Sequence, residues 1–306
     1  MKDLSFHPCF SEGAHGRYGR LHVPCAPECD LSCAFCGRGL DEGDRVLPGR
    51  AMRIVRPGEA EVYIRGKLAG RPEIRVIGVA GPGEPLFNQE TFRVLEICRR
   101  AFPDMILCLG SNGLLLAKNA ERLRDLGVST VTVTVNSLDP DVLTRLVPRI
   151  CLSKSAGEEK VWAEGTEAAR LLIDRQLEGI RLCASLGMTV KVNTVLVPGI
   201  NDGGVEDIAR KAAELGASVQ NIMPLIPAGR LSGLKAPDRG YVRALQDRLD
   251  PVIRQFRSCA GCRADACGLL SEGAGQSGCV KSKPPVKLVV CTRPKRAYCQ
   301  QPLKRL

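Results

Sequence analysis

Three cysteines in one short stretch are the residues of this sequence best suited to chemistry. Cys29, Cys33 and Cys36 follow the spacing C-x3-C-x2-C, which lets one loop turn three thiolates toward a single four-iron, four-sulfur cluster. Three protein ligands leave the fourth iron open, so a small molecule with an amine and a carboxylate could chelate it. The same thiols could instead be scattered cysteines or part of a zinc site, and the surrounding sequence has to decide between these interpretations.

The composition predicts a globular protein with reduced thiols. The chain has 306 residues, 44% of them hydrophobic and only 4% aromatic, which suits one large α/β domain or two small ones. No secretory signal follows Met1, and no run reaches the ~20 apolar residues of a membrane span. We therefore expect a cytoplasmic protein whose 15 cysteines are more often metal ligands than disulfides.

The positive charge is concentrated at the carboxyl-terminal end. The net charge is +11, and residues 281–306 carry eight Lys or Arg and no acid, which leaves +3 for the rest. We interpret residues 271–306 as a basic, Cys-containing tail, most simply a solvated extension broken by prolines. Binding to nucleic acid or to an acidic partner is the alternative.

Strand and helix patterns alternate along residues 1–270 and predict one barrel-like domain without an internal linker. This order is typical of βαβ units with a parallel sheet, so the prediction is an α/β fold, a partial or complete (β/α) barrel with helices outside. The predicted strands are 20–24, 73–80, 105–109, 130–135, 189–196 and 218–223, and the predicted helices are 58–69, 89–101, 116–126, 163–186 and 203–215.

Polar residues recur where these predicted strands end. Gly81-Pro-Gly83-Glu84 follows the second strand, Asn112 and Asn136 follow the third and fourth, and Asn193 lies on the fifth. Parallel barrels place their chemistry at this edge. A single such residue would usually be turn chemistry, but the repetition predicts cofactor binding. The glycine turn can approach an amine or carboxylate, and Asn amides suit ribose hydroxyls and a purine edge.

Together, the cysteine motif and Gly81-Pro-Gly83-Glu84-Pro85 resemble the radical S-adenosylmethionine (SAM) superfamily. Over about residues 5–270, further stretches are similar, in the same order, to the NifB family of nitrogenase cofactor maturases. These stretches are His7-Pro-Cys9, His22-Val, Ala80-Gly-Pro-Gly-Glu-Pro-Leu86, Asp174-Arg-Gln-Leu-Glu-Gly179, Val197-Pro-Gly-Ile-Asn-Asp202, Asn221-Ile-Met-Pro-Leu-Ile226 and Cys259-Ala-Gly-Cys262-Arg-Ala-Asp-Ala266.

The resemblance implies a lyase-type radical enzyme of nitrogen fixation. In that family SAM chelates the open iron and is cleaved to a 5′-deoxyadenosyl radical, and two further four-iron clusters are fused around a SAM-derived carbide. Implied partners are SAM, cluster donors, an electron donor such as ferredoxin and a cofactor-carrier protein, with no membrane or nucleic acid. By position, the implied ligands are Cys29, Cys33 and Cys36 for the catalytic SAM cluster, Cys9, Cys259 and Cys262 for one accessory cluster, and His22 with Cys108 for the other.

One loop departs from the family pattern. The family has a further Cys and then Glu-Ser-Arg ahead of Pro-Gly, whereas here Glu42 and Arg45-Val-Leu47 precede Pro48-Gly49. One accessory cluster therefore lacks its usual third protein ligand. Glu42 could ligate, although iron–sulfur irons prefer thiolate to oxygen. The alternative thiols are Cys25, Cys267, Cys279, Cys291 and Cys299.

The positions of the histidines also favour radical chemistry. His7, His15 and His22 all precede the cysteine loop, so residues 23–306 contain no histidine to act as a general base. Three hypotheses follow: a cofactor maturase, a diverged radical SAM enzyme for a peptide, RNA or small molecule whose basic tail touches the substrate, and a non-enzymatic iron–sulfur carrier.

Overall fold

The computed structural model describes residues 4–37, 39–40, 49–153, 155–259 and 261–270. The strands in these residues are β1 (Gly19–His22), β2 (Leu31–Ser32), β3 (Gly39–Leu40), β4 (Arg50–Ala51), β5 (Ile74–Val79), β6 (Ile106–Ser111), β7 (Val128–Thr134), β8 (Arg149–Cys151), β9 (Trp162–Glu164), β10 (Thr189–Leu196), β11 (Val219–Pro224) and β12 (Cys267–Leu269). The α-helices are α1 (Pro57–Leu68), α2 (Gln89–Ala101), α3 (Leu116–Asp125), α4 (Pro140–Leu146), α5 (Gly165–Ser185), α6 (Val205–Glu214) and α7 (Arg239–Leu249).

A seven-stranded sheet in the order β11-β10-β7-β6-β5-β1-β12 forms the body of the protein. Every neighbouring pair is parallel except β1 with β12, which is antiparallel. β11 and β12 are the two edges and do not pair with each other, so the barrel is partial. The prediction of a parallel α/β barrel of this type is confirmed.

The two faces of this sheet have opposite character. Val131 and Val133 on β7, and Val190 and Val192 on β10, are buried in the main core, because this face packs against the helices. Burial of such apolar surface is worth roughly 25 cal/mol per Å². The other face carries the alternate residues, as the period of two requires.

That second, inner face is lined by small and polar side chains. His22, Gly78 and Cys108 are register partners on three adjacent strands, and Cys108 pairs onward with Thr130. Cys108 lies on a central strand and yet keeps intermediate solvent exposure. The inner face therefore borders an accessible recess rather than a close-packed core.

A second layer supports the cysteine loop. β2 lies inside that loop and pairs with β8, which pairs with β9. Beneath it is a separate apolar cluster that includes Leu31 from the loop and Leu143 and Leu146 from α4. The loop is thus held by a small sheet and a helix that were absent from the predicted elements.

The six predicted strands and five predicted helices are present, with every end within two residues of the predicted position. The structure adds α4, α7 and six short strands (β2, β3, β4, β8, β9 and β12), whose length of two or three residues is too short for a periodic pattern. Glu42, Arg45-Val-Leu47, Cys279, Cys291, Cys299 and the predicted tail 271–306 lie outside the described residues. The division at residue 270 stays a prediction. Within the described residues, no helix combines the length and apolar character needed to cross a membrane.

Candidate functional site

The three-cysteine loop lies where β1 leads into the small second sheet. The Ala34 amide donates to the carbonyl of Leu146 at 2.8 Å, and the Cys151 amide donates to that of Asp30 at 2.7 Å. The Cys29 and Cys33 side chains pack against the apolar cluster beneath the loop, whereas Cys36 is exposed. The backbone is therefore fixed at several points, with Cys29 and Cys33 partly buried and Cys36 open to solvent.

The glycine turn after β5 packs directly on the segment that leads into this loop. The Gly83 amide donates to Ala26 at 2.6 Å, and the Glu84 amide donates to Glu28 at 2.8 Å. A Cβ on Gly83 would overlap the Glu28 carbonyl oxygen, so only glycine allows this approach. Gly81 has φ +137°, a value that also favours glycine.

Asn88 connects the same two segments from the side. Its Nδ2 donates to the carbonyls of Glu28 at 2.8 Å and Glu84 at 2.7 Å, and its Oδ1 accepts the Glu28 amide at 3.3 Å. Asn88 is buried, and the sequence reasoning missed it. In the sequence, Asn88 stands only at the start of the predicted helix 89–101, where Asn is a common N-cap. That position indicates a helix end and gives no sign of a functional site.

Glu84 is a buried support rather than an open ligand. Its carboxylate accepts from Ser111 Oγ at 2.8 Å, the Asn112 amide at 2.7 Å and the Leu86 amide at 3.1 Å. Burial, reinforced by the nearby Asp30, raises the pKa of Glu84 to about 8. The predicted residue lies at the site and orders the turn around it.

Asn112 joins Glu84 to the cysteine loop itself. While its amide binds Glu84, its Nδ2 donates to Asp30 Oδ1 at 2.6 Å. Burial raises the pKa of Asp30 to about 6, and the other Asp30 oxygen is buried without a hydrogen-bond partner among the described residues. Asp30 was also missed by the sequence reasoning, because an acid between two cysteines has no spacing signature of its own.

The predicted cofactor residues Asn136 and Asn193 have different surroundings. Asn136 Oδ1 accepts the Val195 amide at 2.9 Å, and Asn136 is buried. Asn193 Oδ1 accepts from Asn221 Nδ2 at 3.1 Å, and Asn193 remains partly exposed on the inner face. Asn193 therefore has the access that a ligand needs, while the Asn136 side chain joins two strands.

Two further polar residues explain motifs that the resemblance singled out. Gln176 on α5 donates to the carbonyls of Asn112 at 2.8 Å and Thr134 at 2.9 Å, which joins the ends of β6 and β7. Asn201 donates to the carbonyls of Asn136 and Val195, both at 2.8 Å. Gln176 and Asn201 therefore hold the carboxyl ends of the strands together. Neither was among the site residues predicted from the sequence.

The donor chemistry of the loop fits a four-iron cluster. Cys29 and Cys36 are free thiols. Cys33 lies near enough to Cys29 to contribute to the raised pKa of the Cys29 thiol. Burial, Asp30, Cys33 and Glu84 raise the pKa of Cys29 well above its ordinary value, so ligation must displace a proton. Among the described residues no His, Cys, Asp or Glu group is tight enough for one metal ion. A cluster makes a different demand, because each thiolate binds a separate iron.

The accessory residues His22 and Cys108 lie on the inner face, on either side of Gly78. A Cβ on Gly78 would lie 3.1 Å from the His22 ring, so the glycine provides the space between the two side chains. His22 Nδ1 contacts the Arg263 carbonyl at 3.0 Å, which leaves Nε2 as the nitrogen for another partner. Burial, with Arg20 second, lowers the pKa of His22 to about 4, so the ring is neutral at pH 7, as a ligand must be.

Cys9 and Cys262 lie together near the same recess. Both pack against a small cluster of Val219, Phe256 and Leu270. Burial raises the pKa of the Cys9 thiol to about 12, and the nearby thiols of Cys262 and Cys108 add to that shift. Cys259 is exposed on the segment leading to Cys262. The structure thus brings three of the four predicted accessory thiols into one neighbourhood.

Cys25 and Cys267, the two described substitutes for the missing ligand, lie on the opposite face of the sheet. Cys25 is fully buried in the main core, 3.9 Å from Thr91 of α2. Cys267 packs against the same core and accepts from Arg71 at 3.4 Å. The structure therefore does not support the suggestion that either thiol completes an accessory cluster with His22 and Cys108. Cys267 is the register partner of Leu21, which belongs to the core, whereas the next residue along β1, His22, points to the opposite face.

Comparisons with known proteins agree with this geometry. The family model "Radical SAM superfamily" matches residues 23–212. The "FeMo cofactor biosynthesis protein NifB" of Methanocaldococcus jannaschii is 42% identical over 267 residues, which is 87% of this chain and 87% of that protein. The protein of the same name from Klebsiella pneumoniae is 41% identical over 277 residues, 88% of this chain but 58% of its own length.

Solved structures show the same fold. SuiB of Streptococcus suis bound to S-adenosylmethionine has a TM-score of 0.55 at 16% identity, covering 76% of this chain and 47% of that one. Methylornithine synthase (PylB) has a TM-score of 0.53 at 12% identity, covering 78% of this chain and 63% of that one. From the matched model and the relatives, the chain belongs to the NifB family of radical SAM enzymes, which bind SAM and a four-iron cluster and take part in FeMo cofactor biosynthesis.

Proposed function

We propose that this protein fuses two four-iron clusters, with insertion of a SAM-derived carbide, into the eight-iron precursor of the nitrogenase cofactor, in a lyase-type reaction. The observation that carries this proposal is the position of the accessory donors. Cys9, His22, Cys108 and Cys262 border one recess on the inner face of the sheet, and the three-cysteine loop follows β1 at its carboxyl end.

Each part of the site has a role in this proposal. Cys29, Cys33 and Cys36 would hold the SAM cluster, which supplies the electron for SAM cleavage when bound. Gly81 and Gly83 let the turn approach the loop closely, which would place backbone groups of the turn beside the amine and carboxylate of SAM. The carbonyl and amide groups of this turn are ordered by Glu84 and Asn88, so little reorganisation is needed on binding.

The accessory clusters are substrates in this reaction, and the inner face would present them to SAM. His22 and Cys108 would bind one, and Cys9, Cys259 and Cys262 the other. The proposed partners are cluster donors, an electron donor such as ferredoxin and a carrier protein for the product. The cytoplasmic location also stays a prediction.

Turnover of SAM on anaerobically reconstituted protein tests the proposal. We expect both 5′-deoxyadenosine and S-adenosylhomocysteine, with conversion of two clusters into an eight-iron product detected by iron content and paramagnetic resonance. Cys33→Ala should abolish 5′-deoxyadenosine formation, whereas Cys267→Ala, on the other face of the sheet, should retain it.

Three outcomes would contradict parts of the proposal. Wild-type 5′-deoxyadenosine formation by Cys33→Ala would remove the assigned SAM cluster. SAM cleavage by a protein that holds one cluster and forms no larger one would favour a diverged radical SAM enzyme. Transfer of cluster to an apo-acceptor without SAM cleavage would favour a carrier.

A further inference from the structure

Two cations are buried on the inner face of the sheet beside the accessory donors. Lys191 on β10 and Arg20 on β1 are each 5% exposed. Lys191 alternates with Val190 and Val192, which belong to the core under the helices, so its side chain lies on the recess side. Buried Lys and Arg side chains are rare unless a negative group compensates them.

Within the part of the chain that the structure describes, the partners of Lys191 are neutral. Its Nζ donates to the Cys9 carbonyl at 3.2 Å and lies 4.9 Å from the ring centre of Phe10 and 5.1 Å from that of Phe256. Aromatic faces and a carbonyl attract a cation but do not cancel its charge. The bond to Cys9 also ties the amino-terminal segment to β10.

Arg20 is similarly without an acidic partner among the described residues. Its Nη1 donates to the carbonyls of Gly268 at 2.6 Å and Leu269 at 3.1 Å, and its Nη2 donates to Cys262 Sγ at 3.1 Å. Its Nε is buried and has no hydrogen-bond partner in the described segments. The nearby Asp265 is engaged by Arg263 at 2.7 Å.

A buried cation without a counter-ion is strongly disfavoured, so the occupant of the recess should be anionic. A four-iron cluster bound by three thiolates, as proposed for Cys9, Cys259 and Cys262, carries a net negative charge, and charges and hydrogen bonds near the sulfurs set its stability and potential. Both cations donate a hydrogen bond to a predicted accessory ligand residue: Lys191 to the Cys9 carbonyl and Arg20 to the Cys262 sulfur.

We propose that Lys191 and Arg20 form a cationic lining that holds the anionic iron–sulfur substrate on the inner face, with Lys191 also positioning Cys9. This inference rests on the proposed function, because it assigns the residues that retain the clusters before fusion. It predicts that cluster binding depends on the positive charge of Lys191 as well as on the hydrogen bond that Lys191 donates to Cys9.

Two substitutions of Lys191 distinguish the effect of its positive charge from the effect of its hydrogen bond to Cys9. Lys191→Gln keeps a donor for the Cys9 carbonyl but removes the charge, whereas Lys191→Arg keeps the charge. Lys211→Gln is the matched control, since Lys211 is a surface residue of α6 paired with Glu214 at 2.7 Å. Each protein is reconstituted anaerobically with ferrous iron and sulfide, and iron per chain, paramagnetic resonance and midpoint potential are measured.

We expect Lys191→Gln to lose roughly 10- to 100-fold in accessory-cluster affinity, the usual effect of an outer-shell partner, and to lower the midpoint potential of what remains. Removal of a positive charge disfavours the more negative, reduced cluster, which explains the sign. Lys191→Arg should restore most of the iron, and Lys211→Gln should equal wild type. Without iron, Lys191→Gln should unfold at the same temperature as wild type or higher, because an uncompensated charge has gone.

The outcomes distinguish this inference from the proposed function. If wild type holds accessory clusters and Lys191→Gln has the same iron content and midpoint potential as wild type, only the inference is overturned. Failure of Lys191→Arg to restore the iron would show that the exact lysine geometry, rather than charge, matters, and would also overturn it. Wild type holding only the SAM cluster would overturn both proposals.

Discussion

At the scale of single residues, Glu84 shows how the site orders its own backbone. Its carboxylate accepts three hydrogen bonds from the strand-end segments, yet burial and Asp30 raise its pKa to about 8. The cost of desolvation therefore exceeds the gain from the three donors. The group is in place at the turn before any ligand binds.

The raised pKa of Glu84 predicts a pH-dependent free energy of unfolding. A carboxyl with a folded pKa above its unfolded value of 4.5 binds more protons when folded, so its contribution is complete below about pH 4.5 and is lost as pH rises toward about 8. The slope for one proton is at most about 1.4 kcal/mol per pH unit. Denaturant unfolding of metal-free protein between pH 5 and 9, under reducing conditions, measures it.

Glu84→Gln should flatten that slope and also lower stability. One carboxylate oxygen accepts the Asn112 amide, and an NH2 group cannot, so an amide would lose its partner at a cost of about 1–3 kcal/mol. The difference between wild type and variant isolates Glu84 from Asp30, whose pKa is raised to about 6 with the same sign. Equal slopes for the two proteins would contradict the assignment.

At the scale of elements, the turn between β5 and α2 controls where the cysteine loop lies. Gly83 and Glu84 donate backbone hydrogen bonds to Ala26 and Glu28, and the peptide between Gly81 and Pro82 is cis. The first cysteine, Cys29, follows immediately. The turn and the loop are therefore one packed unit, although they are more than fifty residues apart in sequence.

Gly83→Ala should break this unit. The added Cβ would meet backbone oxygens of Glu28 and Ala26, which cannot rotate away as a side chain could. We expect a loss of about 1–3 kcal/mol in unfolding free energy, as for other overpacked sites, together with weaker SAM binding. Denaturant unfolding and SAM titration of reconstituted protein provide the measurements.

Gly66→Ala is the matched control for that substitution. Gly66 lies in α1 with no atom within 4 Å of the added Cβ, and alanine favours a helix by up to about 1 kcal/mol over glycine. The control should therefore be neutral or stabilising. If Gly83→Ala behaved in the same way, the close contact between turn and loop would not exist in solution.

At the scale of the whole molecule, the fold joins the two ends of the described chain. Cys9 precedes β1, and Cys262 precedes β12, which pairs with β1 at the edge of the sheet. Although these two thiols are far apart in sequence, both pack against the same apolar cluster. Arg20 of β1 also donates a hydrogen bond to Cys262.

We predict that Cys9, Cys259 and Cys262 share one cluster. Replacement of any one by Ala should lose about the same iron after reconstitution, and the Cys9→Ala, Cys262→Ala double variant should lose no more than either single variant. Coupled losses of this kind identify groups that act as a unit. Additive losses would mean separate sites, and Cys267→Ala, on the outer face, should keep all of the iron.

Glu42→Cys tests the departure from the family pattern. The chain returns from this loop at Gly49, whose amide donates to the Cys262 carbonyl at 3.0 Å, so the loop rejoins the fold beside the accessory thiols. Since iron–sulfur irons prefer thiolate to carboxylate, the added Cys should raise accessory iron and the yield of eight-iron product. Iron analysis and paramagnetic resonance before and after SAM are the measurements. No gain in either would favour the diverged-enzyme hypothesis.

The sequence by itself determined the barrel order and the family, and it predicted the SAM-cluster cysteines. These depend on local signals, such as the C-x3-C-x2-C spacing and the alternation of strand and helix patterns, which survive without knowledge of the fold. The predicted strand 189–196 coincides with β10, because its alternation of Val with polar residues is strong. The position of Glu84 beside the loop was likewise indicated by its place after a strand.

Only the tertiary structure decided which side chains face the recess and which face the core. Cys25 and His22 are three residues apart, yet one is in the core under the helices and the other lines the inner face. Lys191, Arg20, Asp30 and Asn88 have no motif, and their roles depend on partners up to about 250 residues away. The physical reason is that burial and compensation of charge are properties of surroundings assembled from distant segments, which spacing along a chain does not encode.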